Sequence, residues 1–117
     1  PIRHALKSGN DKIIVVLTRN PGYRKKPVSK GTAKLYRKAY KSYPKMAACA
    51  VHRNRMYNRT MELVEKLEAE GRIYVIRPMV PTVSRLERDY DKLMSFYEHG
   101  YALMKKEYTN LLRYMEE

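Results

Sequence analysis

The sequence predicts an α/β fold in which a parallel β-α-β crossover carries long flanking helices. Two short apolar runs, 13–17 and 73–76, have the length and the β-branched or aromatic content of strands. The residues between and after these runs repeat apolar side chains at the spacing of amphipathic helices. Two strands joined by a helical connection pair in parallel, and such a connection is nearly always right-handed. The order helix, strand, helices, strand, helix therefore indicates this class.

The first elements lie between turns that contain glycine or proline. Residues 2–7 have the pattern of the last turns of a helix, which Gly9 closes. The run 13–17 is apolar throughout, which is typical of a strand buried on both faces in a parallel sheet. A long basic loop, 19–31, follows this strand.

Two helices are predicted after the basic loop. Thr32 is expected to cap a helix over 32–43. A second helix, 44–70, begins at a proline, which is favoured at the first helical position. After the second strand, residues 83–86 are expected to form a short extended piece.

The last predicted helix covers 90–115 and begins after Asp89, a favourable capping residue. Gly100 inside this helix is expected to mark close packing against a neighbour. The apolar face of the helix is predicted to consist of Leu93, Tyr97, Tyr101, Met104, Tyr108, Leu111 and Met115.

Two strands make a poor parallel sheet. Parallel sheets need cover on both faces and usually contain more strands, and both apolar runs have the character of strands with neighbours. The sequence therefore predicts that residues 1–117 form a single C-terminal subdomain whose missing strands lie upstream.

The charge is distributed unevenly along the chain, whose formal net charge is +13. Residues 1–60 hold 16 Lys and Arg against one acidic residue, whereas residues 61–117 hold 9 basic and 11 acidic residues. The basic half favours an anionic partner such as a phospholipid surface, nucleic acid or an acidic protein. A solvated face that keeps the protein soluble is the alternative. Cys49 is the only cysteine and is expected to be buried, and a reducing, cytoplasmic location is the default.

Few residue patterns in the chain suggest chemistry. The glycines fit neither a phosphate-binding loop nor a dinucleotide fingerprint, and no G-x-S-x-G elbow is present. His4 and Ser8 share a helix face, but no acid or oxyanion hole accompanies them. Cys49 and His52 have zinc-compatible spacing, yet two ligands do not make a site. We therefore assign no catalytic, metal-binding or cofactor-binding residue.

Segments spread over nearly the whole chain resemble the downstream half of bacterial patatin-like phospholipases. They are distinctive in combination, although none is a catalytic signature. The segments are PIRHALKSG (1–9), DKIIVVLTR (11–19), PGYRKKP (21–27), GRIYVIRP (71–78), VSRLERD (83–89) and the Tyr97-x-x-Gly100-Tyr101 step.

The resemblance implies a partial three-layer patatin-like fold and a parent enzyme that hydrolyses acyl esters of lipids with a serine–aspartate dyad. Both dyad motifs lie upstream of the matched segments in that family, and neither occurs here. The resemblance thus implies a non-catalytic C-terminal part, whose partner is the upstream catalytic segment.

The basic loop is the predicted contact with anionic lipid head groups or a membrane surface. It leaves the carboxyl end of the first strand, the edge where ligands bind in open α/β sheets. The residues are Arg19, Arg24, Lys25, Lys26 and Lys30. The alternative is a stand-alone basic module for nucleic acid, which no helix-turn-helix, RRM or zinc-finger pattern supports. The chain is expected to be cytoplasmic, peripheral to the membrane, and to self-associate in isolation.

Overall fold

The computed structural model describes residues 1–117 and divides them into two compact units. The first unit comprises residues 1–23 and 67–117, and the second comprises residues 24–66. The first contains helix α1 (Ile2–Lys7), strand β1 (Ile14–Val16), strand β2 (Tyr74–Ile76) and helix α4 (Tyr90–Glu116). The second contains helix α2 (Lys30–Ala39) and most of helix α3 (Pro44–Ala69), whose last turn belongs to the first unit.

The two strands pair in parallel, as the sequence predicts. Ile14 lies opposite Tyr74, Val15 opposite Val75 and Val16 opposite Ile76. The ladder continues at both ends. The Tyr74 N–H donates to the Ile13 carbonyl at 3.0 Å, and the Leu17 N–H donates to the Ile76 carbonyl at 2.8 Å. The α/β class and both strand positions are therefore confirmed, with each regular strand reduced to three residues.

Strand β1 is not buried on both faces, which corrects the sequence prediction. Ile14 is 40% exposed and Val16 is 70% exposed. Their partners across the ladder, Tyr74 and Ile76, point to the same side of the sheet, where Tyr74 bonds to α4. Helix α4 contacts β2, so the β1 half of this side remains open. The buried residues of the first unit are Ile2, Leu67, Ile73 and Pro78.

The helix boundaries show where local capping decides the structure. Asp89 accepts hydrogen bonds from the N–H groups of Asp91 and Lys92 and caps α4, as predicted. The cap of α2 is Ser29 and not Thr32, because the Ser29 hydroxyl accepts the Thr32 N–H at 3.2 Å. Helix α2 consequently begins two residues earlier than predicted.

Three further expectations are wrong. Residues 83–86 form no strand but lead into a turn, in which the Glu87 N–H donates to the Ser84 carbonyl. Cys49 is exposed on α3. Apart from its chain neighbours and the backbone of its own helix, nothing lies within 4 Å of the position that a Cβ on Gly100 would occupy, so this glycine marks open space and not close packing.

Helix α4 presents a different face to the sheet from the one predicted. Most of the predicted apolar face is open, with Tyr97 64%, Tyr101 57% and Tyr108 55% exposed. The side that meets the sheet carries half-buried Phe96, Leu103, Glu107 and Tyr114. The helix therefore has two apolar stripes, and the sheet covers one of them.

The protein exposes 9520 Å² of its surface to solvent. Two separate compact proteins with the sizes of the two units would together expose about 8,000 Å². The excess is about 1,500 Å². It exceeds the ~800 Å² that one partner contributes to a standard protein interface.

Candidate functional site: a sheet-edge cavity and a basic helix face

Two tyrosines attach α4 to the sheet. The Tyr114 hydroxyl accepts the Ile13 N–H at 3.2 Å and lies 3.2 Å from the Arg72 carbonyl oxygen, at the amino ends of both strands. The Tyr74 hydroxyl donates to Oε2 of Glu107 at 2.5 Å. Burial, followed by the bond to Glu107, raises the pKa of Tyr74 to about 12. The same bond, with a second from Asn110, lowers the pKa of Glu107.

At the opposite, carboxyl ends of the strands, the first half of α4 borders an open cavity of about 360 Å³. The cavity wall is almost entirely apolar, with polar groups from Thr18, Arg77 and His99 among its lining residues. Arg77 is also ion-paired with Glu68. The apolar lining residues include Val16, Leu17, Ile76, Phe96, Leu103 and Met104. The carboxyl edge of a parallel sheet is where ligands commonly bind in α/β proteins.

His99 on α4 is half-buried, and its imidazole is hydrogen-bonded. Its Nε2 accepts the Met79 N–H at 3.2 Å, so in the neutral ring the proton resides on Nδ1. The sequence contains a signal for this half-buried position. His99 lies three residues after Phe96 and four residues before Leu103, which places all three on the same side of the helix.

The segment that leaves β1 is fastened to the segment that leaves β2. The Asn20 amide donates to the carbonyls of Pro78, at 3.2 Å, and Val80, at 2.7 Å. The Arg19 guanidinium donates to the Thr82 hydroxyl at 3.2 Å and lies over the Tyr23 ring, 5.0 Å from its centre. Arg19, a predicted head-group contact, therefore also holds the two strand exits together.

The other predicted basic residues belong to the second unit, where the start of the loop is bound along α3. Arg24 forms a two-pronged ion pair with Glu65, with N–O distances of 3.0 and 2.7 Å. This bond raises the pKa of Arg24 above its usual value. The Lys25 ammonium lies 4.3 Å from the centre of the Tyr57 ring.

Two asparagines on α3 hold the backbone of this loop. Asn58 accepts the Lys25 N–H at 2.8 Å and donates to the Lys25 carbonyl at 2.9 Å. Asn54, one helical turn away, donates to the Lys26 carbonyl at 2.8 Å. We call residues 24–26 the strap. Neither asparagine was predicted from the sequence, although their spacing of four residues on a basic helix is a signal that could have indicated them.

Lys26 and Lys30 remain exposed, and Lys30 begins a second arrangement of cations on α2. Lys30, Lys34, Arg37 and Lys38 are spaced four, three and one residues apart, which places them on one side of the helix. All four are exposed. We call these four residues the basic face. Each pair of like charges four residues apart destabilises a helix by about 0.2–0.5 kcal/mol.

The second unit contains too few acidic residues to neutralise this charge. It contains 13 Lys and Arg residues and two acidic residues, Glu62 and Glu65. Glu65 is already paired with Arg24. Exposed Leu35, on the same helix as the basic face, adds an apolar side chain beside the cations. The arrangement attracts anions without selecting a particular one.

The residue pairs considered for catalysis and metal binding do not form sites. The Ser8 hydroxyl donates to the His4 backbone carbonyl at 2.9 Å and not to its imidazole. Cys49 and His52 are both exposed on α3. Nowhere do three or more potential metal-ligating side chains come together. No helix has the length and apolar character needed to cross a membrane.

The chain belongs to the family described as "Domain of unknown function (DUF6363)", whose sequence profile matches residues 43–116. The match covers α3, β2 and α4, whereas β1, the strap and the basic face precede it. Neither a curated protein nor a solved structure matches the chain.

Proposed function

We propose that this chain is the non-catalytic C-terminal part of a patatin-like lipid acyl hydrolase, whose serine–aspartate dyad lies in an upstream segment. In this proposal the first unit completes the α/β core of the enzyme, and the second unit contacts anionic lipid head groups. The parent protein is then cytoplasmic and binds the membrane peripherally.

One observation carries the structural half of the proposal: a parallel strand pair that is open beside an apolar cavity. Ile14 and Val16 are exposed, although apolar β-branched side chains favour burial. A sheet of two parallel strands is too small to be stable on its own account. Further strands from an upstream segment would cover β1, and the resemblance of the chain to patatin-like phospholipases names the class of protein that would supply them.

The basic face supports the lipid half. Four exposed cations on one helix side, with exposed Leu35 on the same helix, suit a surface that presents many phosphates next to an apolar layer. The predicted contacts Lys26 and Lys30 are exposed near this face or within it, whereas Arg24 and Lys25 also serve the strap. We therefore centre the proposed lipid contact on α2.

The enzymatic part is tested on the longer gene product that contains this chain. We expect that product to hydrolyse short acyl esters and to contain a G-x-S-x-G elbow upstream, with an Asp-Gly turn shortly before Pro1. The 117-residue chain should show no hydrolysis, since it contains neither motif. A longer product without an elbow serine, or turnover by the chain that survives Ser8→Ala with Ser84→Ala, would contradict the proposal.

The membrane part is tested by sedimentation of the chain with vesicles. We expect binding to phosphatidylserine vesicles that fades with added salt, and little binding to phosphatidylcholine vesicles, because salt screens the cations. Equal sedimentation with both vesicle types rejects the membrane contact. Tighter binding to an RNA or DNA duplex than to the anionic vesicles would favour the nucleic-acid alternative.

A further inference from the structure

Helix α4 has a long apolar stripe that its own unit leaves largely exposed. The helix contains 27 residues and is therefore about 40 Å long. Seven large apolar side chains of the helix are exposed, and five of them are exposed by more than half: Tyr90 is 70% exposed, Tyr97 64%, Tyr101 57%, Tyr108 55% and Met115 53%. Half-buried Met94, Met104 and Leu111 lie between them. We call these eight residues the outer stripe.

The spacing of the outer stripe is that of a helix–helix contact. Its members follow one another at alternating steps of four and three residues from Tyr90 to Met115. This seven-residue repeat keeps one seam of a helix against another helix along its length. Binding a partner that has no long helix would not need apolar residues at this regular spacing along the whole of α4.

The charges beside the stripe indicate which helix fits. Asp91 and Glu98 flank it in the first half of α4, and Lys105 occupies the corresponding position in the second half. If a second copy of α4 packs antiparallel about the midpoint of the helix, Glu98 lies beside Lys105 of the other copy, and this contact occurs twice. A parallel arrangement brings no opposite charges together, because Glu98 then lies beside Leu93 of the other copy and Lys105 beside Gly100.

The same antiparallel register brings the stripe into contact with itself. Tyr97 lies opposite Tyr108 of the second copy, and Tyr101 opposite Met104. A surface that is complementary to itself under a two-fold rotation is what a symmetric dimer requires. Lys105, which covers the Tyr101 ring at 4.8 Å within one copy, is within reach of the same seam.

We infer that the outer stripe of α4 binds a second copy of this chain as an antiparallel, two-fold symmetric helix pair. This inference does not depend on the proposed hydrolase or on lipid binding. It assigns self-association to α4 and not to the open edge of β1.

The first test is sedimentation velocity of the 117-residue chain over a concentration series. We expect a dimer whose dissociation constant rises by about 100-fold or more in the variant Tyr97→Glu with Tyr101→Glu, because buried tyrosines dominate such contacts. The matched control, Leu35→Glu with Leu86→Glu, changes two exposed leucines outside the stripe and should leave the dimer intact. A strictly monomeric wild-type chain, or equal loss in both variants when circular dichroism shows both folded, overturns the inference.

The second test decides the orientation by exchanging charges. Each single reversal, Glu98→Lys or Lys105→Glu, places like charges together twice and should weaken the dimer by about tenfold. The double variant should restore the wild-type dissociation constant. Glu98 and Lys105 lie two helical turns apart within one chain, so this restoration cannot arise from contacts inside a single helix. If neither single reversal changes the dissociation constant, the contact between copies lies elsewhere, for example at the β1 edge, and the inference is overturned.

Discussion

The two units of this chain use their polar residues in different ways. The first unit contains 12 basic and 10 acidic residues. Its segments are joined by bonds such as Tyr74–Glu107, between a strand and a helix, and Asn20–Val80, between two loops. The second contains 13 basic and two acidic residues. In the first unit the polar groups hold the fold, whereas in the second most charges have no acidic partner within the unit. The difference favours the proposal that the second unit, and not the first, contacts an anionic partner.

The largest expected effect concerns the basic face. Replacement of Lys30, Lys34, Arg37 and Lys38 by glutamine should lower partitioning onto phosphatidylserine vesicles by about 100-fold or more, since each cation near such a surface contributes about 1 kcal/mol. The unfolding temperature should not fall, because the change also removes like-charge repulsion within α2.

The matched control for this experiment removes the same charge from the first unit. It replaces exposed Arg3, Lys7, Arg85 and Arg88 by glutamine. If this control lowers vesicle binding as much as the basic-face variant does, net charge and not the basic face determines binding, and the contrast between the units disappears.

The next largest effect tests the strap. Asn58→Ala removes both hydrogen bonds to the Lys25 backbone and should destabilise the chain by about 2 kcal/mol in urea unfolding. Asn10→Ala provides the comparison, because the Asn10 side chain donates a single hydrogen bond, to the Ala5 carbonyl, at an exposed site. Equal, small effects of the two substitutions would mean that the strap contributes little to the second unit.

A smaller effect is expected where α4 meets the sheet. Tyr114→Phe leaves the half-buried Ile13 N–H without its acceptor and should lower the free energy of unfolding by about 1 kcal/mol. Tyr108→Phe removes a hydroxyl from a tyrosine of the same helix that is 55% exposed in the single chain, and it keeps the ring that the inferred dimer would bury, so it should have almost no effect. A reversed order would mean that Tyr108, and not Tyr114, anchors the helix in solution.

The smallest effect is a dependence of stability on pH. The pKa of Glu107 is lowered in the folded state, so its contribution is present above the pKa of the unfolded chain and is lost as the pH falls through the lower, folded value. The pKa of Tyr74 is raised to about 12, so its contribution is complete below about pH 10 and is lost as the pH rises towards 12.

Tyr74→Phe removes both contributions, because it eliminates the bond that causes the shift at Glu107. Unfolding of the wild type and of this variant should be compared at pH 3, 7 and 11. The two should differ by about 1 kcal/mol at neutral pH and by less at either extreme. A difference that is independent of pH would indicate that the lost hydroxyl acts by packing and not through the carboxylate.

Local patterns in the sequence were sufficient for much of the first unit. The two apolar runs predicted both strands, their order predicted parallel pairing, and Asp89 predicted the start of α4, because each depends on a few neighbouring residues. The cap of α2 was misplaced by three residues, since Ser29 and Thr32 are both good capping residues and only the backbone geometry chooses between them. The patatin-like identity and the head-group contacts stay predictions.

The sequence alone determined the helix and strand order, the parallel pairing and the uneven charge, because short-range periodicity and composition encode these features. Only the tertiary structure decided which side of α4 packs against the sheet. That helix has two apolar stripes, and tyrosine suits both a half-buried and an open position, so periodicity cannot choose between them. The strap likewise required the folded chain, since Arg24 and Glu65 are 41 residues apart and meet only when α3 lies alongside the loop. Contacts between distant residues depend on how elements pack, which no local pattern records.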